Sequence, residues 1–112
     1  MSIGVNGDGM GSSAVATPSL EFASRTVGTT SLPKKAVLTN IGVVQVVVSN
    51  VMITGDFALY KNGCAKPVKS GLSCNVLVTF TPTQTGTRTG TLKIFDNAGN
   101  SPQTVTLSGV GK

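Results

Sequence analysis

The chain offers few side chains that could do chemistry. Its 112 residues contain no His, and the thiols are those of Cys64 and Cys74. Acid–base or nucleophilic catalysis needs a base held against a nucleophile, or a pair of carboxylates. The acids fall in separate predicted elements, at Asp8, Glu21, Asp56 and Asp96. We therefore predict that the protein is not an enzyme and needs no cofactor.

The two cysteines are ten positions apart, at Cys64 and Cys74. A metal site would need more ligands than these, and there is no His to supply one. The intervening segment contains Pro67 and Gly71, which predict a turning connection and favour a disulfide. On the chain-entropy model, closing so short a loop contributes roughly 2–3 kcal/mol. A disulfide indicates an oxidising compartment, and two buried free thiols are the alternative.

Two other arrangements have a chemical interpretation. Residues 6–9, Asn-Gly-Asp-Gly, resemble part of a calcium loop, but no further acid occurs near Val15. Calcium takes about six to eight oxygen ligands, so a turn or linker is the better interpretation and we predict no metal site. An internal isopeptide bond would need Lys, Asn and a buried acid together, for which Lys35, Asn40 and Glu21 can be nominated.

The composition is basic, with a net charge of +5 from nine Lys and Arg against four Asp and Glu. Such a charge can attract nucleic acid, anionic lipid or acidic glycans. The basic residues are scattered and lack interleaved aromatic residues, so we expect no nucleic-acid partner. The densest group, Lys61, Lys66 and Lys69 beside the cysteines, predicts a patch rather than a groove.

No segment has the length or composition of a membrane span. The longest apolar stretch, within residues 43–48, is far shorter than the ~18 residues that a span requires. Residues 1–8 lack the basic and apolar regions of a signal peptide. We therefore expect any export signal to lie upstream in a longer parent protein.

Alternation of apolar and polar residues predicts seven short strands. They lie at residues 19–22, 35–40, 46–53, 57–60, 73–81, 90–95 and 103–108. The third is long enough to bulge near Ser49 and Asn50, while Pro82 ends the fifth and residues 83–89 form a Thr- and Gly-rich connection. Residues 96–100 predict a hairpin turn. Seven strands at this spacing predict an all-β, immunoglobulin-like sandwich of two sheets.

The two ends of the chain resemble each other. Residues 2–9 match residues 104–111 in their small polar, branched apolar and Gly positions. The simplest interpretation is that residues 1–17 are a linker or the tail of a preceding repeat, and residues 18–112 are the sandwich domain. A period near 100 residues is typical of whole domains in tandem.

Several ordered motifs together resemble one known family. They are Leu20-Glu21-Phe22, Leu38-Thr39-Asn40-Ile41-Gly42, Ile53-Thr54-Gly55-Asp56-Phe57, Val78-Thr79-Phe80-Thr81-Pro82, Gly86-Thr87-Arg88-Thr89-Gly90 and Val105-Thr106-Leu107-Ser108-Gly109. The chain resembles the bacterial choice-of-anchor D repeats, which are similar to the Hydin-type (ASH) immunoglobulin-like domains and to the major-sperm-protein superfamily. The resemblance implies a seven-stranded sandwich without catalytic residues, present in tandem copies in secreted or surface-anchored bacterial proteins.

The chain departs from that family where outward strand positions are apolar rather than Thr or Ser. These positions are Val37, Val47, Met52, Leu77 and Phe95. In a two-sheet sandwich we expect Val37 and Leu77 on one outer face and Val47 and Phe95 on the other. A contiguous group of exposed apolar residues would indicate an interface. The first hypothesis is a structural or adhesive module whose partners are neighbouring repeats. The alternative is a protein-interaction module, or a weak homo-oligomer, acting through an apolar face or an edge strand.

Overall fold

The computed structural model describes residues 13–112, where every regular element is a β-strand. The eight strands are β1 (Ala14–Ala16), β2 (Ser19–Glu21), β3 (Lys34–Asn40), β4 (Val48–Ile53), β5 (Phe57–Asn62), β6 (Ser73–Phe80), β7 (Gly86–Asp96) and β8 (Gln103–Gly111). They form two four-stranded sheets, which confirms the predicted all-β sandwich. No helix in residues 13–112 is long and apolar enough to cross a membrane.

The first sheet has the strand order β1-β3-β6-β5 and the second has the order β2-β8-β7-β4. Neighbouring strands are antiparallel except for β2 and β8, which are parallel. The chain passes from the first sheet to the second at Thr17 and Pro18, between β1 and β2. Proline has no N–H to give to a ladder, so a strand ends naturally there. The N-terminal part of the domain therefore contributes an edge to both sheets.

Strand β1 lies within the segment that was expected to be a linker. Ala14–Ala16 pairs with Leu38, Thr39 and Asn40 of β3, and the Ala14 side chain is buried in the core. A run of three small residues has no clear alternation, which is why the sequence did not predict this strand. The sandwich thus begins before the expected boundary at residue 18. The predicted repeat tail at residues 2–9 lies outside the described residues.

Strand β7 begins at Gly86, so the prediction that residues 83–89 are all connection was wrong for residues 86–89. Gly86, Thr87 and Arg88 pair through their backbones with the end of β8. These residues carry no apolar side chains, so the sequence shows no alternation of apolar and polar residues that would predict a strand here. The predicted bulge in β4 is confirmed by a register shift between Val48 and Asn50.

The core consists of the inward side chains that alternation predicted. Nine of them are fully buried: Ala36, Leu38, Val76, Val78, Phe80, Leu92, Ile94, Val105 and Leu107. At one end of the core the rings of Phe22, Phe57 and Phe80 pack together, with centroids 5.0 Å apart for Phe57 and Phe80 and 5.5 Å apart for Phe22 and Phe57. Aromatic packing of this kind adds to the free energy of burial and joins the two sheets.

The described chain starts and finishes at opposite ends of the sandwich. Ala14 lies beside the β7–β8 hairpin, where Asn100 Nδ2 donates a hydrogen bond of 2.8 Å to the Ala14 carbonyl. At the other end the last residue of β8, Gly111, pairs with the first residue of β7, Gly86. The Lys112 amide there donates to the Arg25 carbonyl at 3.0 Å. We call these the entry end and the exit end.

Candidate interaction surfaces

Cys64 and Cys74 form a disulfide, as the sequence predicted, with their Cα atoms 5.2 Å apart. Cys64 is buried and Cys74, at the start of β6, is half-buried. The Cys64 amide also donates to Oδ1 of Asn62 at 2.9 Å. The bridge therefore ties the connection between β5 and β6 to the body of the first sheet.

The three lysines of the predicted basic patch are exposed. Lys61 lies at the end of β5, and Lys66 and Lys69 lie in the connection that follows. An open, shallow depression is lined by Lys61, Gly63, Ser73, Cys74, Asn75 and Leu77. No strand of the first sheet, as described, contains Asp or Glu. The positive charge of the patch is therefore not balanced by acidic side chains on the described strands of its own sheet. The depression beside it is open and is not an enclosed groove.

Val37 and Leu77 share the outer face of the first sheet. Val37 pairs with Asn75 and Lys35 pairs with Leu77, so the two apolar side chains are diagonal neighbours. Both are half-buried, and Leu77 is flanked by Lys35 on one side and Lys61 on the other. The apolar area here is small, and its use as an interface stays a prediction.

Met52 and Phe95 share the outer face of the second sheet. Met52 pairs with Lys93 and Asn50 pairs with Phe95, which makes Met52 and Phe95 diagonal neighbours. Val47 is exposed and lies one residue before the start of β4, and its place on this face stays a prediction. Its amide donates to Oδ1 of Asn97, just beyond β7, at 2.8 Å. Alternation in the sequence does not predict a hydrogen bond of this kind, in which a side-chain oxygen accepts from the backbone beyond the end of a strand.

A further apolar group lies at the entry end, where the sequence predicted only a connecting loop. Ile41, Val43 and Val44 follow β3, and Leu72 comes from the connection before β6; all four are exposed. We call these four residues the entry-end patch. The signal for it in the sequence was a run of branched apolar residues inside a loop, where polar residues are usual.

The carboxylate of Asp56 holds two connections together at the exit end. Arg88 Nε donates to Asp56 Oδ2 at 2.7 Å, and the Thr83 amide donates to the same oxygen at 2.9 Å. The hydrogen bond from Arg88, followed by that from the Thr83 backbone, lowers the pKa of Asp56 below its ordinary value of 3.8. A carboxylate held as an anion between donors stabilises the turn between β4 and β5.

The structure does not assemble the residues nominated for an isopeptide bond. Lys35 is exposed on β3, Asn40 is buried, and Glu21 is exposed on the other sheet. Within residues 13–112, no group of three or more His, Cys, Asp or Glu side chains could hold a metal ion.

No family model and no curated protein matches the chain. Solved structures similar to it include the secreted serine protease VesC from Vibrio cholerae, with a TM-score of 0.68 and 18% identity over 91% of this chain and 23% of that chain. The VesB protease of Vibrio cholerae gives a TM-score of 0.70 and 13% identity over 87% of this chain and 31% of that chain. The ASH/PapD-like domain of human CEP192 (PapD-like domain 7) gives a TM-score of 0.69 and 16% identity over 91% of this chain and 87% of that chain.

These likenesses show the fold, which is immunoglobulin-like and of the ASH/PapD-like kind. This chain spans less than a third of either protease. It covers most of the CEP192 domain, so the likeness there is between two domains of similar extent.

Proposed function

We propose that the domain is a non-catalytic structural link in a tandem array of immunoglobulin-like domains, in an extracellular bacterial protein of the choice-of-anchor D kind. The observation that carries this proposal is the placement of the two ends of the described chain. Ser13 accepts hydrogen bonds from the loop after β3 at the entry end, and Lys112 pairs with Arg25 at the exit end. Copies joined through such ends extend an array lengthwise.

The strands that separate the two ends are long and well connected. β7 has 11 residues, which at about 3.4 Å per residue corresponds to about 37 Å. Both of its neighbours, β8 and β4, pair with it in the second sheet. The domain is therefore suited to hold its two neighbours at a fixed distance from each other.

Three observations support an extracellular location. The Cys64–Cys74 disulfide is of a kind that persists in oxidising compartments. VesC, which has a similar fold, is described as secreted. The resemblance of residues 2–9 to residues 104–111 favours a repeated domain, as in the surface proteins of the family.

The acidic side chains support a structural rather than a catalytic role. Asp56 is engaged by Arg88 and Thr83. Asp96 Oδ1 accepts from the Ala98 amide and shapes the β7–β8 turn. The Thr83 hydroxyl donates to Asp56 Oδ2 at 3.0 Å, but the same oxygen is ion-paired with Arg88 at 2.7 Å. The protease activity named for VesC and VesB belongs to chains more than three times as long as the matched part.

The proposal is tested by a two-copy fusion in which residues 1–111 are followed directly by residues 10–112. Residues 104–111 of the first copy then take the place of residues 2–9 of the second. Small-angle X-ray scattering should show a maximum dimension about 35–40 Å greater than that of the single chain, one domain length. A fusion that is hardly longer than the single chain, with its two domains side by side, would contradict the proposal.

Self-association is a second candidate, favoured by the diagonal placement of Met52 and Phe95 on an outer face. A ring with few torsions gives a large contact area at small entropic cost. Phe95→Thr should abolish association that the natural chain shows in sedimentation at high micromolar concentration, without lowering the melting temperature. Lys93→Thr, on the same face, is the matched control. A natural chain that stays monomeric at millimolar concentration would eliminate this candidate.

A further inference from the structure

The entry-end patch exposes more apolar surface than a connecting loop normally does. Val43 is 80% exposed, Ile41 62%, Leu72 56% and Val44 47%. The two loops that carry these residues lie side by side, because the Asn40 amide donates to the Leu72 carbonyl at 3.0 Å and the Gly71 amide donates to the Asn40 carbonyl at 2.9 Å. The four side chains therefore belong to one surface and are not scattered.

A buried polar side chain holds this surface in one conformation. Asn40 is 1% exposed, and its Nδ2 donates to the carbonyls of Val44 at 2.9 Å and Val68 at 2.8 Å. Its Oδ1 accepts from the Gly42 amide at 2.9 Å. A buried amide satisfied on both of its polar atoms fixes the backbone around it. The apolar side chains are thus presented by a preorganised loop, which lowers the entropic cost of binding.

The chain enters the domain at this surface. The carbonyl of Ser13 accepts hydrogen bonds from the amides of Ile41 at 3.1 Å and Gly42 at 3.2 Å. Any structure attached upstream of Ser13 is therefore tethered beside the patch.

The sequence indicates what that structure is. Residues 2–9 resemble residues 104–111, so Gly9 corresponds to Gly111, which lies at the exit end of the domain. From Gly9 to Ser13 the chain can span at most about 14 Å. The exit end also carries exposed apolar side chains, with Leu32 85% exposed and Val27 36% exposed.

We propose that the entry-end patch docks against the exit end of a preceding domain of the same kind. This inference rests on the proposed array and adds the contact that makes neighbouring domains rigid with respect to one another. A short tether gives the two surfaces an effective concentration in the millimolar range. A contact of four apolar side chains then holds within an array but is too small to make separate chains dimerise.

The test is methyl NMR on the two-copy fusion described above, compared with the single chain. In the fusion the patch of the first copy is free and that of the second copy is tethered to an exit end. Each methyl of Ile41, Val43, Val44 and Leu72 should therefore give two signals, one of them at the single-chain position. Exposed apolar side chains away from both ends, such as Leu59 on β5, should give one signal each.

Variants identify the surface responsible. Val43→Thr together with Leu72→Thr in the second copy should remove the doubled signals and let the domains tumble separately, whereas Met52→Thr should change neither. An extended fusion whose patch signals coincide with those of the single chain would overturn this inference and leave the array intact. A fusion with side-by-side domains in scattering would instead overturn the array itself.

The same spectra distinguish another occupant of the patch. If residues 1–9 of the chain folded back on it, deleting them from the single chain would shift the Val43 and Leu72 signals. That result would overturn the proposal, which predicts that these signals stay unchanged after the deletion.

Discussion

Gly109 lies so close under the ring of Phe80 that a methyl group on residue 109 would stand 2.5 Å from ring carbon Cε2. Phe80 is fully buried and is stacked on Phe57, so the ring has little room to move. Gly109→Ala should reduce the free energy of unfolding by about 1–3 kcal/mol, the usual cost of overpacking a core. Ser108→Ala is the matched control and should change it little. Equal melting temperatures for the two variants would show that the core adapts.

The disulfide should stabilise the domain by constraining the unfolded chain. The intact mass of the native protein should be two hydrogens below that of the reduced protein, and a reductant should lower the melting temperature. Loop closure predicts a loss of roughly 2–3 kcal/mol. Reductant should not affect the double variant Cys64→Ser, Cys74→Ser. Native, air-exposed protein in which both thiols are freely alkylated would contradict the pairing and weaken the proposal of an extracellular location.

Two N-terminal deletions should differ sharply in their effect on the free energy of unfolding. Removing residues 1–10 should leave the free energy of unfolding nearly unchanged. Removing residues 1–16 also deletes β1, which unpairs one edge of β3 and exposes the site of the buried Ala14. Chemical denaturation measures both. A loss above ~2 kcal/mol in the shorter deletion would show that Ile3 and Val5 are buried in this domain, because burial of two branched residues contributes at least that much.

The stability of the domain should depend on the charge of Asp56 at low pH. Its pKa is lowered in the folded state, chiefly by the hydrogen bond from Arg88. Its contribution to stability is therefore full above the unfolded-state pKa, near 3.8, and is lost as the pH falls through the lower folded-state pKa. The free energies of unfolding of the natural chain and of Asp56→Asn should accordingly converge as the pH is lowered below 3.8.

Denaturant titrations at pH values from neutral to strongly acidic measure this convergence. Met52→Thr, which changes an exposed side chain of the second sheet and alters no ionisable group, is the control, and its difference from the natural chain should be the same at every pH. A difference between the natural chain and Asp56→Asn that is the same at every pH would refute the assignment.

The sequence predicted the parts of the fold where one face of a strand is apolar. Alternation in β3 and β6 placed Leu38, Val76 and Phe80 in the core, where the structure has them. It did not predict β1 or the first residues of β7, because pairing there depends on backbone hydrogen bonds between small or polar residues. Those contacts are set by the partner strand and leave no pattern in the local sequence.

For the surfaces too, alternation predicted what lies on regular strands and did not predict what depends on contacts between distant segments. Val37 and Leu77 were predicted to share a face, since both occupy outward positions of paired strands. The entry-end patch was not predicted, because Leu72 is distant in sequence and is brought to Ile41 by hydrogen bonds between the two loops, among them those of the Asn40 backbone. Besides the run of branched apolar residues in the loop, a second signal was available: Asn40 occupies the inward position that follows Ala36 and Leu38. A polar residue at an inward position indicates a buried hydrogen-bond network.

The distance between the two domains of the fusion tests most directly whether copies join end to end. Thr104, which is exposed on β8, is changed to Cys in both copies and spin-labelled, since the native cysteines are bridged. Pulsed dipolar spectroscopy should then give a narrow distribution near one domain length, about 40 Å. A distribution centred well below that length, with the two copies packed side by side, would contradict the account.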